Sequence, residues 1–310
     1  MMFKPDTRHV KGAVACLVVL ALCAAGRAQS PARPAAPDPS ESVTVQSERV
    51  KDWNYSAGFV KSMLQPSYFL EGEFATWKRP ICPRVNGMSS PSARFIVQRI
   101  RDIAGKIDAP LDQNPACAPN IVIIVSPNPQ TMLDGLKKER PYLFAASLLR
   151  DRKMHAPVQV WYYSLDRDYN GQYWADAPIY PFFDASNPKS VPSMASNYTQ
   201  LLTGIQPEMN IALIIADSVA IRGVPLGSLA DYLAQLSLMQ ASVTGQCQPA
   251  PSIANLFLTG CESGFHTPSL SNADMALLTG LYQTPDEPER LQKVRIINHM
   301  RKNLQAAQQN

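Results

Sequence analysis

Histidine is scarce in this 310-residue chain. There are four, at positions 9, 155, 266 and 299, and no two stand a helical turn apart. The paired histidines of a helical metalloprotease motif are therefore missing. No C-x-x-C pair occurs, which excludes the common thiolate zinc sites. A G-x-S-x-G elbow, a phosphate-cradling glycine loop and a dinucleotide fingerprint are absent too, so the usual marks of a serine hydrolase, a nucleotide hydrolase and a nicotinamide enzyme are lacking. Charged residues make up only 17% of the chain. Beyond residue 28 no apolar run is long enough to span a bilayer, and no internal repeat is visible.

What is present begins with an export signal. Lys4, Arg8 and Lys11 precede an apolar run from Gly12 to Ala25, and Gly26-Arg27-Ala28 offers a small-residue cleavage site before Gln29. Lipidation through Cys23 is disfavoured because Leu22 occupies a position that calls for a small residue. Removing residues 1–28 takes away four basic residues and one acidic one, so the formal charge falls from +4 to +1. Nucleic acid is thus no expected partner. The expected location is the periplasm or the exterior.

Cys82, Cys117, Cys247 and Cys261 remain after cleavage, and four cysteines allow three pairings. Cys82 and Cys117 lie near the starting ends of two strands of one βαβ unit, while Cys247 and Cys261 flank a short apolar segment. The favoured pairs are Cys82–Cys117 and Cys247–Cys261.

Residues 29–50 read as a flexible leader rich in Pro, Ala and Ser, with a short strand possible over Val43–Val50. Residues 51–310 read as a single α/β domain, with a mixed, mostly parallel sheet and flanking helices. A helix is expected over Asp52–Leu64, and the folded core is expected to open near Trp77. An edge strand over Lys78–Val85 contains prolines. A helix from Ser90-Pro91 carries Ile96, Ile100, Ile103 and Ile107, and a wholly apolar strand follows at Asn120–Val125. Further helices are expected after Asn128-Pro129, from Ser271 and over Pro288–Leu304. The last has Leu291, Val294, Ile297, Met300 and Leu304 beside its basic residues. Docking on the protein's own core is the expected role, with membrane-surface or partner binding as the alternative. A partly exposed strand is expected at Val158–Leu165 and a buried one at Asn210–Ile221. Residues 166–208 between them form an aromatic, proline-bearing insertion.

The central feature is a helix over Pro225–Gln240, with Leu226, Leu229, Ala230, Leu233 and Leu236 at three- and four-residue spacing. Asp231 is placed to form a capping-box-like pair with Ser228.

Three smaller patterns have competing readings. Asp166, Asp168 and Asn170 spell the start of a calcium loop, but Ala177 stands where its glutamate belongs; Asn170-Gly171 equally suits a tight hairpin turn. Ser186 and Lys189 have serine–lysine dyad spacing, which Pro188 spoils. The aromatic run Tyr169, Tyr173, Trp174, Tyr180, Phe182 and Phe183 suits a loop anchor or a ligand groove.

The element order resembles the zincin metalloproteases, and the local letters resemble the matrixins among the metzincins. In the frame H-E-x-x-H-x-x-G-x-x-H, residues 230–240 read A-D-Y-L-A-Q-L-S-L-M-Q. Leu236 and Leu238 match flanking leucines. Ala230, Ala234 and Gln240 replace the three histidines, Asp231 the glutamate and Ser237 the glycine. Leu270, Ser271, Asp274, Leu281 and Tyr282 match the closing-helix pattern, and Ala254 stands where the methionine of the Met-turn would be. The chain is also similar, over most of its length, to exported proteins of alphaproteobacteria, a likeness that supplies no activity.

The resemblance implies a degenerate zincin-like fold without zinc ligands. Alanine has no donor atom, and a catalytic zinc needs three protein ligands, so neither a metal nor any other cofactor is expected. The implied function is a non-catalytic binding or interaction module for a peptide or protein, its cleft lined by Asp231, Gln235, Gln240 and Tyr282. The alternative is a peptidase-like hydrolase with an unrecognised site using Asp217 or His155.

Overall fold

The computed structural model describes residues 53–66, 74–139, 153–168, 205–242, 245–285 and 289–307. The expected signal peptide, leader and Val43–Val50 strand lie outside these residues. So do the Asn170-Gly171 turn, the aromatic run and the Ser186–Lys189 pattern.

The described elements are α1 (Trp53–Met63), β1 (Pro83–Asn86), α2 (Ser90–Lys106), β2 (Ile121–Ser126), α3 (Pro129–Glu139), β3 (Val158–Asp168), β4 (Ile205–Asp217), α4 (Leu226–Leu238), a 3-10 turn at Ile253–Asn255, α5 (Asn272–Gln283) and α6 (Glu289–Ala307). The four strands form one sheet in the order β1-β2-β4-β3. β1, β2 and β4 run parallel, and β3 is the antiparallel edge. The mixed, mainly parallel α/β architecture is the one the strand and helix order implied.

The two central strands are apolar on both faces because both faces are covered. Ile121, Ile123, Ala212, Ile214 and Ala216 enter the main core. Leu213 and Ile215 point the other way, to a smaller cluster with Leu133 of α3 and Trp161 of β3. α2 buries Ile96, Ile100 and Ile103, with Ile107 just beyond its end. Gly87 ends β1 at φ 84°, where a Cβ would lie 1.9 Å from the Val125 carbonyl oxygen. Glycine is required there.

Both favoured disulfides are formed. Cys82 and Cys117 have Cα atoms 6.0 Å apart, and Cys247 and Cys261 have theirs 5.4 Å apart. The first spans 35 positions of sequence, worth about 3–4 kcal/mol in the chain-entropy account. Asn120 splints the same junction, accepting from the Cys82 N–H at 2.7 Å and donating to the Pro80 carbonyl at 3.1 Å.

Several expected boundaries shift, each for a local reason. β4 begins at Ile205 and ends at Asp217 instead of running from Asn210 to Ile221. Its early half is held by pairing rather than by hydrophobicity: Asp168 pairs with Ile205, and the Met209 N–H donates to the Thr76 carbonyl. At its far end Asp217 Oδ1 accepts from the Val219 and Ala220 N–H groups and turns the chain. Residues 166–168 and 205–208 of the expected insertion are thus strand.

The core also opens earlier than Trp77. Phe59, Val60, Met63 and Leu64 are buried, and the Gln65 N–H donates to the Gln240 carbonyl. On α6, Leu291 and Val294 are exposed at 41% and 39%, while Ile296, Ile297, Met300 and Leu304 are buried. The buried stripe starts instead at Gln292, whose carboxamide accepts from the Phe74 N–H at 2.8 Å and donates to the Phe74 carbonyl at 3.2 Å. α5 and α6 approach closely at Gly280, where a Cβ would sit 3.1 Å from the Ile296 carbonyl oxygen. Among the described residues no helix is long and apolar enough to cross a membrane.

Candidate functional site

Every residue of α4 from Ser228 to Leu238 is buried, so beyond its first two residues the helix is a core rod with no solvent face. Its polar side chains must then find partners inside the protein.

The expected pair of Ser228 with Asp231 does not form. Ser228 Oγ donates to the Pro268 carbonyl at 2.6 Å, and Pro225 takes the N-cap position without a side-chain cap bond. Asp231 faces α2 instead. Its Oδ1 accepts from Arg99 Nε, and its Oδ2 accepts from Arg99 Nη2 at 3.0 Å and from the Leu270 N–H at 2.9 Å. The fork-on-carboxylate geometry suits arginine alone. The Asp231 side chain is 2% exposed and that of Arg99 35% exposed.

Gln235 lies one turn further along. Its Nε2 donates at 2.8 Å to Oδ1 of Asp274 on α5. Asp274 is a buried hub. Oδ1 also accepts from Ser252 Oγ at 2.6 Å, while Oδ2 accepts from the Ile253 N–H at 3.0 Å, the Ser271 N–H at 2.9 Å and Ser271 Oγ at 2.9 Å. Ser271 and Asp274 form a reciprocal capping box that starts α5. The pattern L-S-N-A-D thus has a local structural meaning of its own. One carboxylate ties together α4, the Ser252–Asn255 turn and α5. Burial raises its pKa, opposed first by the Ser252 hydrogen bond and then by the surrounding amides.

The end of α4 is closed by aromatic donors. Tyr162 Oη, Trp77 Nε1 and Tyr282 Oη donate to the carbonyls of Leu236, Ser237 and Leu238, each at 2.8 Å. Three carbonyls that lack helical partners are satisfied from β3, from α5 and from the segment that precedes β1. Burial pushes the phenols of Tyr162 and Tyr282 far above their ordinary value and that of Tyr232 up to about 12.

The sign of the resulting pH dependence follows. A phenol whose folded pKa exceeds its unfolded one contributes stability that is complete below about pH 10 and fades above it. We predict that unfolding free energy falls by about 1.4 kcal/mol per pH unit for each such tyrosine above pH 10. A spectrophotometric titration at 295 nm should show these phenols ionising only as the protein unfolds; smooth titration of all tyrosines near pH 10 would contradict it.

Of the residues expected to line a cleft, Asp231, Gln235 and Tyr282 are committed to internal hydrogen bonds. Gln240 is 7% exposed, and its Oε1 is buried without a hydrogen-bond partner. Gln235 also borders a cavity of about 80 Å³ between α1, the start of β3, α4 and the 245–258 loop. A shallower depression of about 350 Å³ runs along α3 from Ser126 to Glu139.

Ala230 and Ala234 are fully buried and present methyl groups only. Ala254 sits in the 3-10 turn, where its N–H donates to Ser252 Oγ. Among the described residues no group of three or more His, Cys, Asp or Glu side chains is arranged to hold a metal ion, so His155, His266 and His299 build no such centre. Asp217 serves as a turn residue, and the His155 N–H donates to Gln159 Oε1.

Arg99 is the residue that sequence reasoning missed. The available signal was Asp231 itself, since a carboxylate inside an apolar helix calls for a cation. No protein-family model, curated protein or solved structure matches this chain.

Proposed function

We propose that the chain is an exported, non-catalytic binding or interaction module on a degenerate zincin-like scaffold, acting in the periplasm or outside the cell on a peptide or protein ligand. One observation carries this reading. At the positions where a zincin would present its ligands, Ala230 and Ala234 offer methyl groups to the core. The carboxylate that would act as general base is held by Arg99 and the Leu270 N–H. Zinc does not fit such a donor set. Two disulfides support an oxidising compartment, and β1, α2, β2, β3, β4 and α4 follow one another in the order the resemblance implies, with α3 added between β2 and β3.

The test is metal analysis of the purified protein together with a peptidase assay on a mixed fluorogenic peptide set. Far less than one zinc per chain and background hydrolysis are expected. Stoichiometric zinc, or hydrolysis abolished by a chelator, would overturn the reading.

A further inference from the structure

The outward side of α6 carries apolar groups that the core does not use. Ile296, Ile297, Met300 and Leu304 turn inward, which leaves the opposite side of the helix to solvent. Leu291, Val294, Arg295 and Lys302 are all exposed, and their three-, four- and eleven-residue offsets set them in one stripe. Arg301 flanks the stripe, its guanidinium 6.0 Å from the ring centre of Trp53 on α1. Trp53 is itself 37% exposed. Three of the six exposed large apolar side chains among the described residues thus line this one helix, so the exposure is grouped rather than scattered.

The charge along the helix has one sign. Asp286, Glu287 and Glu289 precede Arg290, and no acidic residue follows them. Arg290, Lys293, Arg295, Arg301 and Lys302 all lie beyond that point. The two helices packed against α6 add no exposed acid. The charged residue of α1 is Lys61, and that of α5 is the buried Asp274.

Shape and charge together select the partner. Neither cavity described above has an α6 residue on its lining, so neither offers the stripe a groove for a peptide. An unbroken helix face with apolar side chains between cationic ones suits a flat anionic surface. There the basic residues meet headgroup phosphates and a tryptophan settles at headgroup depth. We propose that the outer face of α6, together with Trp53, docks on a bilayer rich in anionic phospholipid. The helix lies on that surface and does not cross it. This inference is independent of the binding-module reading.

Flotation of the purified protein with phosphatidylglycerol vesicles tests it, with phosphatidylcholine vesicles as the neutral control. Partitioning should be at least about tenfold stronger on the anionic vesicles. It should fall at least about tenfold between about 0.05 M and about 0.5 M salt. Arg295→Gln combined with Lys302→Gln should weaken it about 25-fold, at about fivefold for each charge. Leu291→Ser combined with Val294→Ser should weaken it by about 3–10-fold. Phosphatidylglycerol with brominated acyl chains should quench part of the tryptophan emission, and Trp53→Phe should remove that quenching. All the substituted positions are exposed, so the fold should survive each change, which circular dichroism checks. Equal partitioning onto both kinds of vesicle would overturn the proposal, as would undiminished partitioning of the folded charge variant. Capture on immobilised polyglutamate without vesicle binding would also overturn it, and would give the face to an acidic protein instead.

Discussion

Arg99→Met should destabilise the protein by about 3–5 kcal/mol. The substitution keeps the aliphatic stem and removes the only cation among the described residues that touches the Asp231 carboxylate, whose side chain is 2% exposed. The remaining donor to that group is the Leu270 N–H, which cannot offset the desolvation of a full charge. Most of the loss should be recovered by Arg99→Met combined with Asp231→Leu, because an uncharged pair has nothing left to desolvate. Urea unfolding of the two single variants and the double variant gives the coupling energy directly. Additive losses would show that the pair is not the coupled unit described here.

Asp274→Ala should cost at least about 4 kcal/mol, since each buried donor left without an acceptor costs about 1–3 kcal/mol. Five hydrogen bonds end on this carboxylate, and the capping box of α5 is lost with it. Asp274→Asn should cost less, because one carbonyl acceptor survives. The two replacements also separate charge from hydrogen bonding. Burial raises the Asp274 pKa, so this group's contribution is complete below the ordinary carboxylate range and declines as pH rises through the raised folded value. Asp274→Asn should remove that slope from the pH dependence of unfolding. An unchanged slope would mean that the group does not titrate as described.

The architecture was legible where hydrophobic spacing alone decides it. Ile96, Ile100, Ile103 and Ile107 mark the buried face of α2, and the unbroken apolar run of β2 marks a strand covered on both sides. It was not legible where a partner far along the chain decides. The early half of β4 contains Gln206, Pro207 and Glu208, which argue against a strand; β3 and the segment at Thr76 make it one. The same limit applies to the site. Asp231, Gln235 and Tyr282 stood out in the sequence as candidate cleft-lining groups, and the structure commits all three to internal hydrogen bonds. Their assignment to Arg99, Asp274 and the Leu238 carbonyl depends on which helix face meets which neighbour, and spacing within one helix does not encode that.

Gln292 behaves as a clasp. Its carboxamide imitates a strand neighbour for Phe74, from 218 positions away. The Phe74 backbone therefore lacks these two partners until α6 has been synthesised. A chain cut short before residue 289 should leave the Phe74 N–H and carbonyl without these bonds, which faster amide exchange at Phe74 would report.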